Sequence, residues 1–352
     1  MGNLGFLLTY LLLSFLLTFL LIPPYIRFLH RYKLGKQIRE EALMGKATEF
    51  AKLHKNKTGT PTMGAGIILI SIFSLVILSV IVHFFAADIQ YLFGIQIKYS
   101  LWNRNETYLA LFTLATVGLI GLVDDYLNVR GIGRTKGLSA RVKMILLTIF
   151  ALIGAYWFYV KLGHTGLNFP FFGEVSLGIL YIPLFIFIII AMANAVNITD
   201  GLDGLAGGLL LFNYVVYAFI TYNQGLMILS AICMLIVGAL IAFLWFNIKP
   251  ASFYMGDIGS LALGANLGIM AMMTDTLAVL IIISGIYILE ICSVIIQLTS
   301  KKLRNGKKIF RIAPFHHHLE AIGWSEETVV MRFWLVGMIL SSIGLIVSFV
   351  MK

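Results

Sequence analysis

Hydrophobic and polar positions fall into long blocks along this chain. Ten apolar runs, at 4–26, 63–86, 107–123, 142–160, 177–195, 205–220, 226–246, 260–273, 277–298 and 329–350, recur from one end to the other. Most approach the ~20 residues that a helix needs to cross a hydrocarbon core. The eighth is short, which predicts a tilted or kinked span. In lipid the backbone must satisfy its own polar groups, so such runs predict transmembrane helices. The expected fold is an all-α polytopic membrane protein of ten spans.

Composition supports that class. Of 352 residues 60% are hydrophobic and only 12% charged, with a mean hydropathy of +0.94. An ordinary soluble domain is nearer a quarter charged. No linker, long repeat or low-complexity tract interrupts the pattern, so residues 1–352 read as a single transmembrane domain. The first run is long and has no basic segment before it, which predicts a first span rather than a cleaved signal. Cys233 and Cys292 lie inside apolar runs and read as small hydrophobes, with no disulfide or zinc spacing.

Charge then orients the spans. With the runs alternating across the bilayer, 22 of the 26 Lys and Arg residues fall on one side, in the segments 27–57, 124–143 and 301–332 and at Lys249. By the positive-inside rule those segments are cytoplasmic and both termini face outward. The net charge of +10 is thereby explained by orientation and by attraction to anionic lipid, with no call for nucleic acid.

The polar islands share that cytoplasmic side. Asp124 and Asp125 end the third run. Asn197, Asp200 and Asp203 sit in Asn197-Ile198-Thr199-Asp200-Gly201-Leu202-Asp203-Gly204, between the fifth and sixth. Asp200 and Asp203, three apart, share a face if the segment is helical. Asp257 precedes the eighth run, and His316, His317 and His318 occupy the last cytoplasmic loop. Acids near hydrocarbon cost about 2.5–3.5 kcal/mol each on insertion scales and tend to mark a site. Adjacent acids repel unless a cation joins them. Mg²⁺ takes one or two carboxylates together with waters and phosphate oxygens, and Lys57, Lys136, Arg141 and Lys143 supply charge for phosphate. Acids for metal and bases for phosphate form the layout of phosphoryl transfer. Pumps and transporters cluster acids nearer the midplane, whereas these lie at the rim.

Six segments together resemble a known family. They are Lys57-Thr58-Gly59-Thr60-Pro61-Thr62-Met63-Gly64, Asp124-Asp125-Tyr126, 197–204, Phe246-Asn247, Met255-Gly256-Asp257 and Pro314-Phe315-His316-His317-His318-Leu319-Glu320. Their order and spacing are similar to those of the bacterial phospho-N-acetylmuramoyl-pentapeptide transferases, and the likeness runs the length of the chain. The resemblance implies transfer of phospho-MurNAc-pentapeptide from UDP-MurNAc-pentapeptide to undecaprenyl phosphate, giving lipid I and UMP. It implies Mg²⁺ as cofactor, a homodimer, and a place in the bacterial plasma membrane. It implies Asp257 as the metal ligand, with Asp124 and Asp125 as a catalytic pair beside it and His316 and His317 in the catalytic set. Lys57, Thr62, Lys143, Asn197, Asp200, Gly201, Leu202, Asp203, Asn247, Tyr254, Gln297 and His318 match substrate-binding positions, Tyr254 where an aromatic stacks on uracil. Asn128 departs from the family's usual Lys and carries no assigned role.

Other readings stay open. A sister transferase using UDP-GlcNAc shares the aspartates without needing the triple histidine, and a transporter predicts no UMP release. Thr60-Pro61-Thr62 reads on its own as a helix start. Three histidines in a row read as a soft metal patch, though without acid partners close in sequence. Glu290, inside the ninth run, reads as a structural acid satisfied at a bend or by a neighbouring helix, and Gly285 marks the place for such a bend. His83 and Asn266 read as structural.

Overall fold

The computed structural model describes residues 3–35, 41–42, 45–46, 59–94, 99–102, 105–133, 137–170 and 173–350. Its helices are α1 (Asn3–Arg31), α2 (Gly66–Phe84), α3 (Ala86–Phe93), α4 (Asn105–Arg130), α5 (Ala140–Tyr156), α6 (Tyr181–Thr199), α7 (Leu205–Asn223), α8 (Met227–Asn247), α9 (Asp257–Met273), α10 (Leu277–Ile283), α11 (Gly285–Leu303), α12 (Phe315–Ala321) and α13 (Glu326–Val350). The strands are two short antiparallel hairpins, Glu41–Ala42 with Gly45–Lys46 and Gly166–Phe169 with Gly173–Ser176. The second lies in a connection that the apolar pattern leaves blank, because alternation over four residues is too short to register.

Eight of these helices are long and apolar enough to cross a membrane, and the protein is a helical, multi-pass membrane protein. The run at 277–298 is not one straight span: it breaks at Ser284 into α10 and α11, bent by 74°. The short run at 260–273 becomes α9, of 17 residues, or about 25 Å of helix. Its length suits its place. Every residue from 258 to 272 is buried, so it packs against protein rather than spanning lipid by itself.

The bundle is built around α9, which packs on α4 and α6, while α1 packs on α8, α8 on α7, and α13 on α7 and α10. Close approach sets where the site forms. A β-carbon on Gly121 of α4 would lie 2.6 Å from the Ile258 nitrogen, so only glycine lets α4 reach the first turn of α9. Asn266, buried in α9, donates to the Ala110 carbonyl at 2.8 Å and accepts from the Tyr214 hydroxyl at 3.0 Å. Both bonds lock α9 between α4 and α7, which is the structural role expected of Asn266.

Two local expectations fail. Residues 60–62 do not start a helix: Pro61 bridges Gly35 in extended pairing and Thr62 donates to the Leu34 carbonyl at 2.9 Å. The pairing with the 34–35 segment outcompetes the capping signal. Asp200 and Asp203 do not share a helical face, because α6 ends at Thr199 and Gly204 turns the chain with φ +80° before α7.

Candidate active site

The polar positions converge at one end of the bundle, where α4 and α6 end and α5, α7 and α9 begin. Ser139 accepts from the Val142 N–H at 3.3 Å and so caps α5, placing Lys143 in its first turn. The Lys143 ammonium sits 2.6 Å from Asp124 Oδ2 and 2.5 Å from Asp257 Oδ2. One cation therefore joins a carboxylate from α4 to one from α9. Asn197 of α6 donates to Asp257 Oδ1 at 2.8 Å and to the Ser260 hydroxyl at 2.9 Å. The Leu138 N–H donates to Asp124 Oδ1 at 2.6 Å.

Asp125 faces the other side of the same junction. Its Oδ2 accepts the Ile258 N–H at 3.1 Å, satisfying an orphan donor at the start of α9, where negative charge is favoured. Gly256 makes this possible. Its φ is +78°, and a β-carbon there would lie 2.5 Å from Asp125 Oδ2 and 3.0 Å from the Thr62 hydroxyl. The Gly256-Asp257 pair thus has a steric cause: glycine admits Asp125 and Thr62 beside the carboxylate that follows it.

A second half of the site is framed by side chains bonded to backbone. Asn247 accepts the Gly204 N–H at 3.1 Å and donates to the Phe253 carbonyl at 2.9 Å. Asp203 Oδ2 accepts the Ala251 N–H at 3.2 Å, and Glu326 accepts the Asp203 N–H at 2.9 Å. Lys249 pairs with Glu327 at 2.8 Å and Glu326 at 3.3 Å. Burial pulls the Lys249 ammonium down, but the two glutamates offset it and leave its pKa above the ordinary lysine value. Gln297 accepts the N–H groups of Ile309 and Phe310 at 3.0 and 3.1 Å and donates to the Phe310 carbonyl at 2.8 Å. Tyr254 is tied through its backbone, donating to the Pro61 carbonyl at 2.8 Å and accepting from Gly64 at 2.7 Å. Leu202 is buried in the same turn.

The histidines divide by role. His316 Nδ1 lies 3.1 Å from Glu290 Oε2, an ion-pair separation without hydrogen-bond alignment, and its N–H donates to Glu290 Oε1 at 3.1 Å. His317 Nδ1 is 2.7 Å from Glu320 Oε2. Both rings border Gly201, where a β-carbon would collide with His316 Nε2 and lie 3.2 Å from His317 Nε2. His318 turns the other way: its Nδ1 accepts the Arg311 N–H at 3.2 Å and its ring packs on Phe310 and Phe315. The motif itself supplies Glu320, three residues after His317, and the fold brings in Glu290. A lone acid in an apolar run was the available signal for Glu290. Glu326, Ser260 and the Leu138 N–H carried none. Lys57 and Lys136 lie outside the described residues.

The donor set suits a hard divalent cation. Asp124, Asp125 and Asp257 present carboxylate oxygens around one junction, Asp257 part-exposed, and Mg²⁺ prefers oxygen donors of this kind together with phosphate. Among the described residues no group of three or more His, Cys, Asp or Glu side chains is arranged to hold a metal ion.

Fold and site together define a multi-pass membrane protein with an acidic, lysine-bridged site at one end of its bundle, and the family model for glycosyl transferase family 4 matches residues 107–275. The match holds Asp124, Lys143, Asn197, Asp203 and Asp257 within one stretch. Over the whole length the chain is 40% identical to the phospho-N-acetylmuramoyl-pentapeptide-transferase of Geobacillus sp. (strain WCH70), across 340 residues covering 96% of each chain. It is 39% identical to the same-named protein of Pelagibacter ubique, covering 92% of this chain and 87% of that one. Against the one from Clostridium novyi it is 40% identical, over 92% and 90%. The chain belongs to the phospho-N-acetylmuramoyl-pentapeptide-transferase family.

Proposed function

We propose that this protein transfers phospho-MurNAc-pentapeptide from UDP-MurNAc-pentapeptide to undecaprenyl phosphate, forming lipid I and releasing UMP. The observation that carries the reading is Lys143 bridging Asp124 and Asp257 at a helix junction, in a chain similar end to end to transferases of that name. An oxygen of the lipid phosphate attacks the sugar-linked phosphorus of the UDP substrate. The bond from that phosphorus to the bridging oxygen breaks, and the electron pair leaves on UMP.

A phosphate monoester has a second pKa near 6, so the attacking phosphate is already largely dianionic at neutral pH. Asp124 is then not required to remove a proton. Direct attack in one step is the preferred route, over a phosphoryl-enzyme formed on Asp125, whose Oδ2 is bonded to the Ile258 N–H. Asp257 would hold Mg²⁺, with Asp124 and Asp125 beside it, and the bound ion would supply charge neutralisation at the transferring phosphoryl group. Lys143 aligns the acids and adds positive charge. Asn197 fixes the Asp257 carboxylate, and the 200–204 turn with Asn247, Tyr254, Gln297 and the histidines shapes the nucleotide side.

The finer topology belongs to the same reading. Ten spans follow if the bent pair and α9 each count as one, with both termini outward and the site on the cytoplasmic face of the plasma membrane. The Lys and Arg bias supports that orientation. A homodimer is part of the proposal and is tested by mass measurement in detergent. The function is tested by UMP release from purified protein with undecaprenyl phosphate, comparing UDP-MurNAc-pentapeptide with UDP-GlcNAc. Mg²⁺-dependent UMP from the muramoyl substrate alone is the expected result. UMP from UDP-GlcNAc instead moves the protein to the sister activity, and no UMP from either returns the transporter reading.

A further inference from the structure

Glu290 lies within α11 with none of its surface exposed. An acid at that depth is costly and demands a partner. Its partner is His316, also fully buried. The carboxylate receives the His316 backbone N–H at 3.1 and 3.4 Å through its two oxygens, and Oε2 stands 3.1 Å from the ring Nδ1 without hydrogen-bond alignment. The bend at Ser284 redirects α11 after α10, and α11 and α12 pack together.

The opposite edge of the ring meets the 200–201 turn. A β-carbon on Gly201 would collide with Nε2 and stand 2.9 Å from Cε1. His316 is thus held between a carboxylate on its Nδ1 side and glycine backbone on its Nε2 side. Both ring nitrogens are buried, and neither has a hydrogen-bond partner among the described residues. Buried polar atoms are almost always satisfied; Nδ1 has the Glu290 carboxylate 3.1 Å away, so it is Nε2, against the substrate turn, that points to a ligand atom.

We propose that Glu290 is a positioning residue that orients His316, keeping the proton on Nδ1 and directing the Nε2 lone pair at a hydrogen-bond donor of the bound nucleotide, such as a ribose hydroxyl. An acid beside one ring nitrogen sets which nitrogen faces the ligand. Outer partners of this kind matter without touching substrate. The inference rests on the transferase reading and deepens it.

A double-mutant cycle on the full chain in detergent tests it, using Glu290→Gln, His316→Ala and the pair, read by UMP release from UDP-MurNAc-pentapeptide. Glu290→Gln lowers kcat/KM by about 10–100-fold, the loss typical of an orienting partner. The double variant then matches His316→Ala in kcat/KM, because an acid that works by orienting the ring has no ring left to orient. Wild-type kcat/KM in Glu290→Gln, or losses that multiply in the pair, overturn the proposal. If the Gln variant does not fold, Glu290→Met, apolar in an apolar helix, carries the same cycle. Spectra of ¹⁵N-histidine-labelled protein read the tautomer without turnover. A His316 signal protonated at Nδ1, assigned by its loss in His316→Ala, is expected to change in Glu290→Gln. If wild-type protein releases no UMP but this signal behaves as expected, the transferase reading falls and the orienting role stands. An active wild type with an unchanged tautomer in Glu290→Gln overturns the orienting role alone.

Discussion

The two halves of the site spend their polar groups differently. In the half formed by α4, α5 and α9, charge faces charge, with Lys143 between Asp124 and Asp257. In the half formed around the 200–204 turn, α11 and α12, side chains mostly face backbone. Asn247 and Gln297 are each bonded to main-chain groups at both ends of their amides. A carboxylate held by an ammonium can exchange that partner for a metal ion, freeing the ammonium for a phosphate. An amide bonded to backbone at both ends cannot let go without releasing a loop. The first half is therefore built for chemistry and the second for shape.

Lys143→Met breaks the contrast most directly. Without the ammonium, Asp124 and Asp257 lose their shared cation, and kcat is expected to fall by roughly 10²–10³-fold, the scale of one lost electrostatic group in a reacting centre. Removal of divalent metal with EDTA is expected to abolish UMP release reversibly, with added Mg²⁺ restoring it. Persistence of the activity in EDTA contradicts the metal role.

Asn247→Leu probes the framework half. It leaves the Gly204 N–H and the Phe253 carbonyl unpaired at a buried site, a cost of about 1–3 kcal/mol. A lower thermal midpoint and a raised KM for the nucleotide substrate are expected, with a smaller change in kcat. A kcat loss as large as that of Lys143→Met removes the distinction.

The smallest effect is expected far from the site, at Asp275. Its carboxylate accepts the Asn168 N–H at 3.0 Å in the connection between α9 and α10. Burial holds that carboxyl above the ordinary carboxylate range, with the Asn168 N–H pulling it down. A raised carboxyl favours the fold while protonated. Its contribution is full below the unfolded pKa, near 4, and is lost as pH rises through the folded value. Asp275→Asn is expected to flatten that part of the stability–pH curve and leave UMP release unchanged.

Much of this arrangement was legible in residue order. Apolar runs located every long helix, and the aspartates flagged the end of the bundle where they meet. What escaped was pairing across distance. Glu290 and His316 lie 26 positions apart, and no local pattern joins an acid in an apolar helix to a histidine in a later loop. The break at Ser284 was foreshadowed by Gly285, but its 74° angle depends on how α10 packs against α13. The Thr60-Pro61-Thr62 signal misled because tertiary pairing with the 34–35 segment overrode a local cap. Asp200 and Asp203 share a face only if their segment is helical, and the helix ends at Thr199, before either of them.

The most direct test sets Asp257→Asn beside Gln297→Leu, measuring kcat for UMP release and thermal midpoint on the same preparations. The account predicts that Asp257→Asn keeps a near-wild-type midpoint and loses kcat by roughly 10³-fold or more, as expected where catalysis is charge stabilisation. Gln297→Leu is predicted to lose midpoint first and kcat much less. The reverse pattern, an active Asp257→Asn beside a stable but inactive Gln297→Leu, would place the chemistry in the wrong half and contradict the account.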